Sequence, residues 1–437
     1  MGRCPDCGNW NTFSETAFNA KAGSAYSAAK GSSGGAPESL KNVVALKAGR
    51  VNTGIPEFDR IIGGGLVPGA MVLLAGPPGI GKSTLLLQIA ESMAKSGKTC
   101  LYVSGEESVQ QLKLRGNRLN AGSEKLLVYS ETSVSEIILQ IKKIKPDLTI
   151  IDSIQTLHNP ELPAISGSVG QVRECAEEIN HAAKTMHVPV IVSGQVTKEG
   201  AIAGPKVLEH TVDTVLYFDE AKDNFHRIIR TEKNRFGPSD ELGIFQMKVT
   251  GLEEVINPSA MFLESRPADA TGSVIVSLMN GSRPLLLELQ ALITRTNFNL
   301  PRRQVSGLDY NRVLLLVAVM ERILKLDLQG WDIFLNIAGG TRVNEPACDL
   351  SIIMAVYSAY RNMPVGNDTV VIGEVGLSGE IRAVSYMEKR VAEAEKLGFK
   401  TCIIPRANLK NLSAGRTDLI GVAKLKEAME VIDARWK

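Results

Sequence analysis

The stretch GPPGIGKST, residues 76–84, constrains this chain more than any other. It fits the pattern G-x-x-x-x-G-K-[ST] and follows the apolar run MVLLAG at 71–76. Between a strand and a helix, such a pattern is a phosphate-binding loop. Gly76, Gly79 and Gly81 let backbone N–H groups turn inward on phosphate oxygens, and Pro77, Pro78, Ile80 and Thr84 complete the loop. The helix opening at Gly81 adds the partial positive charge of its N-terminus. Lys82 can reach the β- and γ-phosphates of ATP, and the Ser83 hydroxyl can ligate Mg²⁺.

Two further acidic stretches fit this site. LTIID (148–152) ends an apolar run with Asp152, where a Mg²⁺-linked carboxylate belongs. SGEES (104–108) follows another apolar run and offers Glu106 and Glu107, one of which should face the γ-phosphate to orient or deprotonate water. Their order in the chain does not choose between them.

Short apolar runs alternate with helix-like stretches from about residue 50 to 265, which predicts a mostly parallel sheet covered on both faces. DTVLYFD, HRIIRTEK and LGIFQMKV close that region with β-rich character. From about 270 the pattern restarts, with paired strands in GSVIVSLMNG and PLLLELQALIT and helices in DYNRVLLLVAVMERILK and 346–361. That predicts a second α/β domain. Residues 14–40 are rich in Ala, Gly and Ser and read as a flexible linker.

The net charge is +2, so an anionic partner must be held by local clusters of Lys and Arg. No apolar run approaches the length of a membrane span. The cysteines beyond the first pair, at 100, 175, 348 and 402, are scattered among apolar segments. They read as reduced core thiols of a cytoplasmic protein.

GPPGIGKST, YVSGEES, LTIIDSIQT and KNRFG (233–237) together resemble the RecA-type ATPase core, and in detail the bacterial RadA (Sms) family of recombination and repair proteins. VTKEGAIAGPKVLEHTVDTVLYF is similar to that family's pattern as well, and the resemblance covers nearly the whole chain. It implies a RecA-like P-loop ATPase core over 45–265 and a Lon-protease-like (ribosomal S5 domain 2-like) α/β domain over 266–437. Before them come the remnant of a zinc ribbon over 1–13 and a linker over 14–44.

The resemblance also assigns roles. It selects Glu106 as the catalytic carboxylate and makes Gln195 the γ-phosphate sensor, at the start of a DNA-contacting loop over roughly 196–206. Many members of the family carry His at that sensor position. Gln can report phosphate position through hydrogen bonds but cannot change charge near neutral pH. Lys233 and Arg235 of KNRFG map to cations that reach the nucleotide of a neighbouring subunit. Lys198, Lys206 and the segment 158–170 would line a ring interior near DNA.

In the Lon-like region the chain has Ala347 where Lon proteases place the nucleophilic Ser, and Met387 where they place the Lys. Neither a methyl nor a thioether can activate an acyl attack. Cys348, beside the lost Ser, reads as an inert buried thiol. What remains is a platform, with Arg295, Arg302, Arg303 and Arg312 flanking NFNLPRRQVSG as its cationic patch.

The family implies an ATP-dependent, DNA-stimulated motor. It forms a homo-oligomeric ring, a hexamer, binds single-stranded and branched DNA, promotes branch migration in recombinational repair and works with RecA and other recombination proteins. A non-translocating ATPase switch that loads or regulates such proteins is the alternative, and an ATP-dependent protease a weaker one. CPDCG at the start supplies Cys4 and Cys7 with the spacing of half a Zn²⁺ site. The family's first Cys pair lies upstream of that position, where this chain has three residues, so the expected zinc site is incomplete.

Overall fold

The computed structural model describes residues 49–437, apart from 196–204, 221–224, 265, 268, 298–299, 339–342, 413–414 and 436–437. Cys4, Cys7 and the expected linker therefore lie outside the described residues, as does Lys198.

In chain order the first half contains α1 (Pro56–Ile61), β1 (Met71–Gly76), α2 (Lys82–Lys95), β2 (Cys100–Ser104), α3 (Val109–Arg118) and β3 (Leu126–Ser130). Next come α4 (Val134–Ile144), β4 (Leu148–Asp152), α5 (Val169–Met186), β5 (Val190–Gln195) and α6 (Pro205–Leu208). β6 (Thr214–Glu220), β7 (His226–Asn234), β8 (Leu242–Lys248) and β9 (Gly251–Glu254) complete it. These strands form one sheet in the order β3-β2-β4-β5-β1-β6-β7-β8-β9. β1 pairs in parallel with β5 and β6, while β7, β8 and β9 turn back antiparallel.

The apolar runs buried on both faces explain why continuous hydrophobicity reads as strand here. Val72 and Leu74 of β1 face the cluster holding Leu85, Leu86, Ile89 and Met93 of α2. Met71, Leu73 and Ala75, one residue out of step, face Ile137 and Ile141 of α4 and Val172 and Ile179 of α5. Successive strand side chains point to opposite faces, so one strand serves two cores. α3 begins in a reciprocal capping box between Ser108 and Gln111, which satisfies donors that a helix start leaves open.

The second half contains α7 (Pro258–Leu263), β10 (Ser273–Asn280), β11 (Arg283–Arg295), β12 (Arg303–Ser306), α8 (Tyr310–Val319), β13 (Trp331–Ile337) and α9 (Asp349–Arg361). β14 (Thr369–Val371), β15 (Glu374–Val375), β16 (Ile381–Arg382), α10 (Met387–Lys396), β17 (Thr401–Pro405), β18 (Asp418–Val422) and α11 (Leu425–Arg435) follow. A separate sheet runs β12-β13-β11-β10-β14-β17-β18. It has its own cores, and α7 packs Phe262 and Leu263 against them.

The two sheets meet at the β10–β11 hairpin. Its turn residue Gly281 has φ +56°, and a Cβ there would stand 2.7 Å from the carboxyl carbon of Glu241. The Ser282 N–H donates to that fully buried carboxylate at 2.7 Å. Arg60 pairs with the same group, and Arg283 reaches Glu57 of α1 at 3.3 Å. Among the described residues no helix is long and apolar enough to cross a membrane.

Candidate nucleotide-binding site

The loop between β1 and α2 stands at the carboxyl end of the parallel strands, the end where open α/β sheets bind ligands. Its glycines are required individually. A Cβ on Gly76 would lie 2.5 Å from the Phe218 carbonyl oxygen of β6. Gly79 and Gly81 have φ of +78° and +118°, values that L side chains avoid. Lys82 Nζ donates to the carbonyls of Gly76 and Pro77, each at 2.8 Å. The ammonium is thus folded over the loop that it serves. Burial pushes its pKa down, against the opposing pull of Asp152 and Glu106.

Asp152 ends β4 and is 9 % exposed. One of its oxygens accepts from the Tyr102 hydroxyl at 2.8 Å and the other from the Ser193 hydroxyl. Burial, and then the Asp152 carboxylate, raise the Tyr102 phenol well above its ordinary range, so Tyr102 remains a donor. Two fixed hydroxyls thus orient the buried carboxylate. Neither was singled out in the sequence, because each is one polar residue in an apolar strand. Ser193 lies on β5 and Tyr102 on β2, the strands flanking β4.

Adjacent Glu106 and Glu107 diverge. Glu106 accepts from the Ser153 hydroxyl at 2.7 Å and from the Gln195 amide at 3.1 Å. Glu107 turns away and pairs with Arg115 of α3 at 2.7 Å. Lys82, Asp152, Glu106 and Gln195 therefore gather at one edge. Ser83 follows Lys82 in the first turn of α2. A lysine ammonium, a helix-opening hydroxyl and a buried oriented carboxylate are the donor set that Mg²⁺ and a nucleotide triphosphate need. Gln195 is the last described residue before the 196–204 segment, and its carbonyl accepts from Gln155 at 3.3 Å.

Other expected residues lie elsewhere. Lys233 Nζ donates to the carbonyls of Glu209 and Val212 at 2.6 and 2.9 Å. Its pKa is lowered by burial and then by Arg235. Arg235 pairs with the buried Asp213 at 3.4 Å and is half-exposed. Both cations sit at the amino end of β6, because Val215 pairs with Lys233 and Thr214 with Asn234. That is the far end of the sheet from the phosphate loop of this same chain. Lys206 falls in α6.

In the second half of the chain, Arg303 donates to the carbonyls of Arg302, Leu328 and Trp331. Arg312 is bound through two nitrogens to the buried Asp349. Arg302 is exposed, and the Arg295 guanidinium stacks 4.4 Å from the centre of the Trp331 ring. Ala347 and Met387 are buried in one apolar cluster with Ile275, Leu286 and Ile372. Cys348 is buried, and burial raises its thiol pKa. Cys100, Cys175, Cys348 and Cys402 are all free and buried.

The chain is similar to several known proteins. Residues 51–137 match the family model described as ATPase: KaiC, and residues 315–408 match that of the ChlI subunit of Mg-chelatase. The DNA repair protein RadA of Halalkalibacterium halodurans is 48% identical over 99% of this chain and 95% of its own length. The RadA protein of Bacillus subtilis is 47% identical over 98% of this chain and 94% of its own, and that of Listeria monocytogenes 45% identical over 98% and 94%. A solved KaiC-like protein from Pyrococcus horikoshii covers 47% of this chain and 99% of its own at 24% identity, with a TM-score of 0.41. Near-full-length identity of this degree, on a P-loop ATPase core, means that the chain belongs to the RadA family of DNA repair proteins.

Proposed function

We propose that this protein is a DNA-dependent ATPase that acts as a ring-forming motor on single-stranded and branched DNA, promoting branch migration in recombinational repair. One observation carries the reading. The hydrolytic carboxylate Glu106 and the first residue of the expected DNA loop, Gln195, are joined by a 3.1 Å hydrogen bond. A change at the phosphate end of that bond shifts the start of the loop at its other end.

In this reading the loop from Gly76 to Thr84 binds ATP through its backbone, and Lys82 shifts from its carbonyl partners to the β- and γ-phosphates. Ser83 and Asp152 would hold Mg²⁺, which when bound would supply charge neutralisation at the phosphates. Glu106, steadied by Ser153, orients the attacking water and accepts its proton. Gln195 senses the γ-phosphate and shifts the DNA-contacting stretch of roughly 196–206, with Lys198 and, at the start of α6, Lys206. Lys233 and Arg235 serve the nucleotide of the next subunit in a hexameric ring. The Lon-like region, whose Ala347 and Met387 have no nucleophile or base to offer, is a platform on which the exposed Arg302 tracks the DNA backbone, while Arg303, held by backbone carbonyls, adds only its charge beside it. RecA and other recombination proteins are its expected partners, acting in the cytoplasm, and Cys4 and Cys7 contribute to a partial Zn²⁺ site.

The test is ATP hydrolysis and strand displacement on a branched DNA substrate with no other protein present. Wild type should hydrolyse ATP faster with DNA and displace a strand, and Lys82→Ala should do neither. Hydrolysis at the wild-type rate by Lys82→Ala would move the site elsewhere. DNA-stimulated hydrolysis without displacement would favour a loading switch over a motor.

A further inference from the structure

The back of the phosphate loop holds a cation that no motif marks. Arg227, near the start of β7, donates from Nε to the Ile80 carbonyl at 3.2 Å. Its Nη1 pairs with Glu220 at 3.0 Å and donates to the His226 carbonyl at 3.1 Å. The side chain is only 11 % exposed. Glu220 and Arg227 also face each other across the β6–β7 hairpin. The guanidinium is therefore held on the hairpin and aimed at the crown of the loop.

We propose that Arg227 is a positioning residue for nucleotide binding, which fixes the peptide between Ile80 and Gly81 so that the Gly81 N–H points toward the phosphates. The inference rests on the reading of residues 76–84 as the ATP site. Across a planar trans peptide, C=O and N–H point in opposite directions. A donor that draws the Ile80 carbonyl outward therefore turns the Gly81 N–H inward. The constraint matters because Gly81 is conformationally free, with φ +118° and no side chain to hold it. Packing alone limits one side, where the Met247 methyl lies 2.8 Å from a built Cβ. A charged donor on the carbonyl also polarises the peptide and strengthens its N–H as a donor.

Arg227 is bonded to the backbone of the loop, so an effect carried by the Ile80–Gly81 peptide falls on binding that is common to the ground and transition states. The test uses the full-length chain with Arg227→Ala and Arg227→Lys. It reads the Kd of a fluorescent ADP analogue, KM and kcat for ATP, and the melting temperature without nucleotide. Arg227→Ala should raise Kd and KM about tenfold, with kcat within about threefold of wild type. Arg227→Lys, which keeps one charged donor, should recover part of that loss. Kd and KM within about twofold of wild type in the Ala variant would overturn the proposal, whether or not the melting temperature falls. A wild-type chain that fails to bind the analogue would instead overturn the assignment of the nucleotide site itself.

Discussion

If Lys233 and Arg235 act on a neighbour's nucleotide, two inactive variants should rescue each other. The distance from this chain's own site sets the expectation. Arg235 stands level with the amino end of β1, since Asp213 bonds both its backbone N–H and that of Met71. Lys82 lies over Gly76, at the other end of that six-residue strand. The offset is roughly 16 Å along the strand, with about 10 Å more across β6 and β7. No arginine side chain spans it, so Arg235 can serve a nucleotide only across a subunit interface. Lys82→Ala and Arg235→Ala should each lower kcat by about 10³-fold or more when assembled alone. A working interface needs intact Lys82 on one side and intact Arg235 on the other. Random incorporation of equal amounts makes about a quarter of the interfaces intact, so hydrolysis should return to about a quarter of the wild-type rate. The assay is phosphate release from assemblies carrying both tagged variants, isolated through both tags in sequence. Rates no higher than the sum of the separate variants, in assemblies shown to hold both, would refute action across the interface.

Two further outcomes test particular contacts. Glu106→Gln should reduce kcat by about 10²- to 10⁴-fold while nucleotide binding persists, whereas Glu107→Gln, which disturbs only the pair with Arg115, should leave kcat within about threefold; steady-state kinetics of the two variants separates the neighbours. Glu241→Ala removes the acceptor of the Ser282 N–H and one partner of Arg60, which keeps Glu57 at 3.0 Å. The expected loss is about 2–4 kcal/mol, read from urea unfolding, and a loss below about 1 kcal/mol would contradict the buried junction.

Much of the site was legible because its chemistry is contiguous. Nine consecutive residues make the loop from Gly76 to Thr84, and the strand before it and the helix after it are local structures with their own periodicities. The place of Asp152 at a strand end was legible for the same reason, as the end of an apolar run. Strands of the second sheet were readable too, whereas their lateral order β12-β13-β11-β10-β14-β17-β18 was not. Strand order depends on which hydrophobic faces meet, and that is settled by packing at long range.

The chain by itself determined the glycine-rich stretch 76–84 between an apolar run and a helix, and the alternation of strands and helices along the sequence. Tertiary structure decided which atoms face one another. It turned Glu106 toward Ser153 and Gln195, and its neighbour Glu107 toward Arg115. It spent the donors of Arg303 on backbone carbonyls and those of Arg312 largely on Asp349. It also brought Arg227 to Ile80 across 147 positions of chain. A motif records only neighbours along the backbone, while hydrogen bonds and desolvation act through space. The partners of a charged side chain are therefore fixed only once the sheet has assembled.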